Sequence, residues 1–272
     1  MYFRVSHESL YRYDVPVRLA PHVVRLTPRP GTVRIVSQRL NVDPLPSQQN
    51  VETDAWGNSV TSLSFLGETR SLRVETALEL ETYTVPALNG PLAPLPHYVD
   101  GAGGFVHSEV RAFAEQLSAE AGHDPVAFLD HLSGTLFSRM HRHIRTSGDA
   151  RAAHETLALG AGACRDLTVL FLAACSALGL SGRFVSGYQA QADTPDGQHH
   201  LHAWAEVLLP TLGYRGWDPM HGVRVGDGHV ALCAAPSQAA TMPIEGGFYF
   251  NGAVVNSTLD YSLRMATSAG GF

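Results

Sequence analysis

No lysine occurs among the 272 residues, and all nineteen basic side chains are arginine. Genomic base composition explains that absence as readily as any function. It has a chemical corollary, because an enzyme joining acyl groups to lysine amines would find no lysine acceptor on its own surface. Basic runs are missing too, and the formal net charge is −6, which argues against a nucleic-acid groove or an anionic membrane as the main partner. No apolar run approaches the length of a membrane span. The opening Met1-Tyr2-Phe3-Arg4-Val5-Ser6-His7 lacks the basic-then-apolar pattern of a secretory signal, so a cytoplasmic location is expected. Cysteine is scarce. Cys164, Cys175 and Cys233 make an odd number without paired spacing, which suggests neither a disulfide framework nor a Cys-based zinc site and leaves at least one free thiol.

The chain is long enough for two modest domains. From Tyr2 to about Tyr83 it reads as short β-rich runs such as Val33 to Val36 and Leu72 to Leu80, with a Trp56-Gly57-Asn58-Ser59 turn. Such alternation predicts hairpins in an all-β sandwich over residues 1–85. Residues 86–106 carry Pro86, Pro91, Pro94, Pro96, Gly101, Gly103 and Gly104 and read as a linker. Helical signals dominate next, with Ser108 as a possible cap before Glu109 to Ala121 and Asp124-Pro125 opening a second helix to about His141. A third helical stretch, Arg165 to Leu178, has an apolar stripe at Leu167, Leu170, Phe171, Ala174 and Leu178 and a stop at Gly179. Strands follow at Arg183 to Ala190, Leu201 to Leu209, Tyr214 to Asp218, Val230 to Ala235 and Phe248 to Val255. Helices followed by antiparallel strands predict an α+β domain over residues 107–272.

Cys164 stands where the glycine-rich turn Gly160-Ala161-Gly162-Ala163 passes into that third helix. A thiol at a helix N-terminus faces unpaired backbone N–H groups and the positive end of the helix dipole, which favour thiolate. Downstream come His202, in an alternating strand-like segment, and Asp218 in Trp217-Asp218-Pro219. Cysteine, histidine and aspartate in this order are the parts of a thiol acyl-transfer triad: nucleophile, proton carrier and the carboxylate that orients it. Trp204 shares the His202 face of its strand and Tyr188 ends the strand after the nucleophile helix, so both are candidate substrate-binding residues, although packing alone explains either. The oxyanion donor nameable from sequence is the Cys164 backbone N–H. Cys175 and Cys233 read as core. His199-His200-Leu201-His202 lacks the accompanying cysteine or carboxylate spacing of a metal site, and none is expected. Arg165 occupies the third-glycine position of any dinucleotide loop, so no such cofactor is expected either. Asp166 in the first helical turn reads as structural.

Four motifs, Gly160 to Leu167, Gly182 to Tyr188, His202-Ala203-Trp204 and Trp217-Asp218-Pro219, resemble in content and order the bacterial transglutaminase-like superfamily. His7 to Tyr13, Leu26 to Pro30 and Asp54 to Asn58 resemble the β-sandwich domain that precedes the catalytic core in many members. The resemblance implies a papain-like α+β core with Cys164, His202 and Asp218 as the triad. It implies no cofactor, and a protein or peptide substrate with an amine as a possible second one. Met220-His221 departs from the small polar pair usual after Asp-Pro. The expected activity is attack on a carboxamide or peptide bond through a thioester, resolved by water or by an amine. Hydrolysis is favoured because water is always present. The alternatives are an arylamine N-acetyltransferase-like acyl transfer and a non-catalytic module that keeps the fold.

Overall fold

The computed structural model describes residues 1–86, 88, 106–145, 147–192, 197–252 and 254–270. The expected linker over 86–106 lies almost wholly outside them. The N-terminal half consists of β1 (Tyr2–Leu19), β2 (His22–Val24), β3 (Val33–Asp43), β4 (Gln48–Thr53), β5 (Ser59–Ser64) and β6 (Thr69–Thr82). In β1 and β6 alternate residues point inward, as a two-residue period requires. Phe3, Val5, Leu72, Val74, Leu78 and Leu80 are thereby removed from solvent. They share a core with Val24, Leu26 and Leu63, so two antiparallel sheets enclose one apolar layer.

Next in the chain are α1 (Ser108–Glu120), α2 (Pro125–Arg139), β7 (His141–Arg142), α3 (Ala153–Leu159), β8 (Ala161–Gly162) and α4 (Cys164–Ala177). The Asp124 carboxylate caps α2 by accepting from Ala127 N–H at 2.8 Å, whereas α1 starts after His107 with no side-chain cap. An antiparallel sheet follows, built from β9 (Gly182–Gln189), β10 (His202–Leu209), β11 (Gly213–Asp218), β12 (Val223–Arg224) and β13 (His229–Ala235) in the order β12-β11-β10-β9-β13. The stripe of α4 covers one face: Leu167, Leu170, Phe171 and Ala174 pack with Ala205, Val207 and Trp217. Two-residue alternation then sends His202, Trp204 and Asp218 to the other face. The fold is α+β, with the strand-rich domain ahead of it.

The tail departs from the expected catalytic domain ending at 272. Strands β14 (Ile244–Glu245), β15 (Phe248–Tyr249) and β16 (Ser257–Ser268) return to the N-terminal half, β14 pairing with β2 and the other two with β1. β16 runs antiparallel to β1 from Tyr2↔Ser268 to Tyr13↔Ser257. The physical reason is edge closure, because β1 has β6 on one side and would otherwise offer a long open edge. The expected strand from Phe248 to Val255 is correspondingly short, at Phe248–Tyr249.

The two halves are joined by buried polar contacts. Asn58 is fully buried; its Oδ1 accepts from Ala234 N–H at 2.8 Å and its Nδ2 donates to the Ala234 carbonyl at 3.0 Å. Tyr188, Val230 and Leu232 of the core sheet enter the N-terminal apolar layer. A cleft at this junction therefore draws walls from both halves.

Candidate active site

The nucleophile turn is fixed from both sides. Gly160 closes α3 in the left-handed conformation at φ 59°, which glycine adopts at no steric cost. His141 N–H donates to the Gly160 carbonyl at 2.8 Å and His143 N–H to that of Gly162 at 3.3 Å. Asp166 then locks the helix start. Its buried carboxylate accepts from Ala163 N–H at 2.9 Å, Arg151 N–H at 2.8 Å and the Arg145 guanidinium at 2.6 Å. Burial alone would raise its pKa, but these donors and the Arg145 charge hold it below the usual carboxylate range. Cys164 opens α4, half-buried. The Ala163 carbonyl accepts from Asp166 and Leu167, and the Cys164 N–H has no backbone partner among the described residues, so it remains available to an oxyanion.

His202 and Asp218 meet at the sheet. His202 Nε2 donates to Asp218 Oδ2 at 2.8 Å, which leaves Nδ1 as the unused ring nitrogen, and His202 and Cys164 line the same cavity. Burial of the ring would lower its pKa. The Asp218 charge and hydrogen bond, together with the Cys164 sulfur, outweigh burial and hold it well above the ordinary histidine value. Asp218 is fully buried, and its pKa lies well below the usual range despite that burial, because His202, His221 and His229 all face it.

Sequence reasoning missed the last two. His221 Nδ1 lies 2.9 Å and His229 Nε2 3.2 Å from Asp218 Oδ2, while the N–H groups of Met220 and His221 donate to Oδ1 at 3.0 and 3.3 Å. Gly226 N–H donates to His229 Nδ1 at 3.4 Å, which leaves Nε2–H as the donor to Asp218. Burial holds the His229 pKa below its ordinary value, so this ring is a neutral donor. His221 falls at a visible departure from the family pattern, three residues after Asp218. His229 had no local signal, since only the β12–β13 return brings it there. The donor atoms of His202, Asp218 and His221 lie within 4.8 Å of one another, but both imidazoles are directed at one carboxylate oxygen as hydrogen-bond donors.

A cavity of about 350 Å³ opens over Cys164 and His202. Neither candidate substrate-binding residue reaches it. Trp204 is fully buried between Gly187 and His229. A Cβ on Gly187 would stand 2.2 Å from the Val230 carbonyl and 2.6 Å from the indole, so glycine is what permits this packing. Tyr188 is also buried, its hydroxyl 3.0 Å from His7 Nδ1. Burial pushes its phenol up and His7 down to about 4. Both expectations are corrected: Trp204 packs with Val185, Val225 and Ala231, and Tyr188 packs into the N-terminal apolar layer.

Comparison with protein families settles the lineage. Residues 3–81 match the bacterial transglutaminase-like N-terminal region, and residues 111–220 match the transglutaminase-like superfamily core, a span holding Cys164, His202 and Asp218. The chain belongs to the transglutaminase-like superfamily. Among its relatives is an uncharacterized protein of Mycobacterium tuberculosis, 25% identical over 297 residues, covering 98% of this chain and 93% of that protein. Another is an uncharacterized protein of Mycobacterium leprae, 23% identical over 267 residues, covering 92% and 94%. The crystal structure of a candidate cysteine protease from Cytophaga hutchinsonii superposes with a TM-score of 0.68 at 16% identity, covering 100% of this transglutaminase-like chain and 93% of its own. That likeness extends the shared fold across both halves.

Proposed function

We propose that this transglutaminase-like protein is a thiol enzyme that cleaves carboxamide or peptide bonds through a thioester on Cys164. The meeting of Cys164 and His202 on one cavity, with His202 Nε2 held by Asp218 Oδ2 at 2.8 Å, carries the proposal. The Cys164 thiolate attacks the carbonyl carbon, forming a C–S bond as the C=O pair moves to oxygen beside the Cys164 N–H. Collapse breaks the C–N bond, and the proton on His202 Nδ1 goes to the departing amine. Water then attacks the thioester, giving its proton to Nδ1. Loss of sulfur releases the acid and returns Cys164 and His202 to their starting state. An amine in place of water gives transamidation. Asp218, held by His221 and His229, keeps the His202 tautomer and balances its charge.

The test is intact-mass analysis during turnover of peptide-amide libraries, quenched in acid. An acyl adduct that maps to Cys164 and disappears with neutral hydroxylamine is the expected result. Turnover without such an adduct, with none formed in Asp218→Asn either, would overturn the proposal. Product composition with and without added amine separates hydrolysis from transamidation.

A further inference from the structure

Among the described residues, the cavity over Cys164 has no acid in its wall. The chain carries 25 aspartates and glutamates and a net charge of −6, yet no described residue lining this cavity is acidic, while Arg145 and Arg165 both do line it. The two arginines differ. Arg145 is paired with Asp166 at 2.6 Å. Arg165 Nη1 donates to the Arg145 carbonyl at 2.6 Å and Nη2 to that of Ser147; no described carboxylate lies within ion-pair distance, and its buried Nε has no partner. Neutral carbonyls hold the guanidinium, Asp166 and Asp149 act on it only from beyond ion-pair distance, and it directly follows the nucleophile.

Part of the wall comes from the N-terminal half and the returning tail, including the polar His7 and Ser9 of β1. Tyr11 of β1, Leu259 and Tyr261 of β16, and Met242 and Ile244 beside them present a largely apolar surface. A pocket of this size takes a small molecule or the end of a chain. A half-buried cation lining the cavity next to the nucleophile favours an anion there, and an apolar wall favours apolar area.

We infer that the cavity selects acyl donors bearing a carboxylate next to the scissile amide and an apolar group beyond it, the carboxylate meeting Arg165 and the apolar group meeting Leu259 and its neighbours. This rests on the catalytic reading of Cys164. It gives the strand-rich domain a role as the specificity wall. It also disfavours a lysine-type ammonium as acyl acceptor, since that cation would face Arg165 and protonated His202 with no acid in the described wall.

Small alkylating probes test this without a known substrate. Rates of Cys164 modification by iodoacetate, iodoacetamide and N-benzyl iodoacetamide are compared with those of glutathione at low ionic strength, with peptide mapping of the label. The iodoacetate-to-iodoacetamide ratio at Cys164 should exceed that of glutathione by at least about fivefold. It should fall at least about threefold in Arg165→Gln and hold in Arg165→Lys, which keeps the charge. Preference for the benzyl probe should fall in Leu259→Ser, a change at a half-exposed position that leaves the core packing untouched. A glutathione-like ratio at Cys164, or a ratio unmoved by Arg165→Gln in a folded variant, overturns the inference alone. Label going first to Cys175 or Cys233 overturns the catalytic reading and this inference with it.

Discussion

Cys164→Ala lowers turnover by at least about 10⁴-fold, because the variant lacks the atom that forms the thioester and retains only binding and the oxyanion donor. The thiol is half-buried and makes no core contact comparable to Cys175, so stability should change by less than about 1 kcal/mol. Steady-state rates and denaturant midpoints on the same preparation check both halves of the expectation. Since the triad acts as a unit, Cys164→Ala combined with His202→Ala should be little worse than either alone.

Asp218→Asn should lower turnover by roughly 10²- to 10⁴-fold and change the shape of the pH profile. His202 has a raised pKa, so its charge is present below that value and lost as pH rises through it. Asp218 has a lowered pKa, so its charge is present above that value and lost as pH falls through it. Both charges therefore coexist from acid solution to well above the ordinary histidine value of 6.5. The ion pair's contribution to stability and activity spans the same window. Removing the carboxylate's charge should bring the alkaline limb of kcat/KM down towards about 6.5. An alkaline limb that stays in place would show that Asp218 does not set the His202 charge.

The grouping of Cys164, His202 and Asp218 was legible because each carries a local signal. Cys164 follows a glycine turn at a helix start, His202 opens an alternating strand, and Asp218 precedes proline where a strand ends. The apolar stripe of α4 was legible for the same reason, since its period alone specifies the buried face. What escaped depends on distant pairing. No pattern in Ser257 to Ser268 announces a partner about 250 residues earlier in β1, and His229 reaches Asp218 only through a chain reversal. Trp204 and Tyr188 were placed on the right strands and misassigned to the cleft, because strand period gives the face but not what covers it. In this chain the N-terminal half covers Tyr188, whereas Trp204 is covered within the core by Val225 and His229.

Selective thiol reactivity tests the central claim most directly. Burial pushes the Cys175 thiol up strongly and that of Cys233 up to about 11, so both stay protonated and covered, while Cys164 stands half-buried at a helix start and lines one cavity with His202. Limiting iodoacetamide near pH 6, where an ordinary thiol is almost wholly protonated, followed by peptide mapping, should label Cys164 first and abolish activity in proportion. His202→Ala should slow that labelling far more at pH 6 than at pH 9, since only the lower pH depends on the imidazolium. First reaction at Cys175 or Cys233, or wild-type labelling of Cys164 at pH 6 in His202→Ala, would contradict the ion pair and the mechanism built on it.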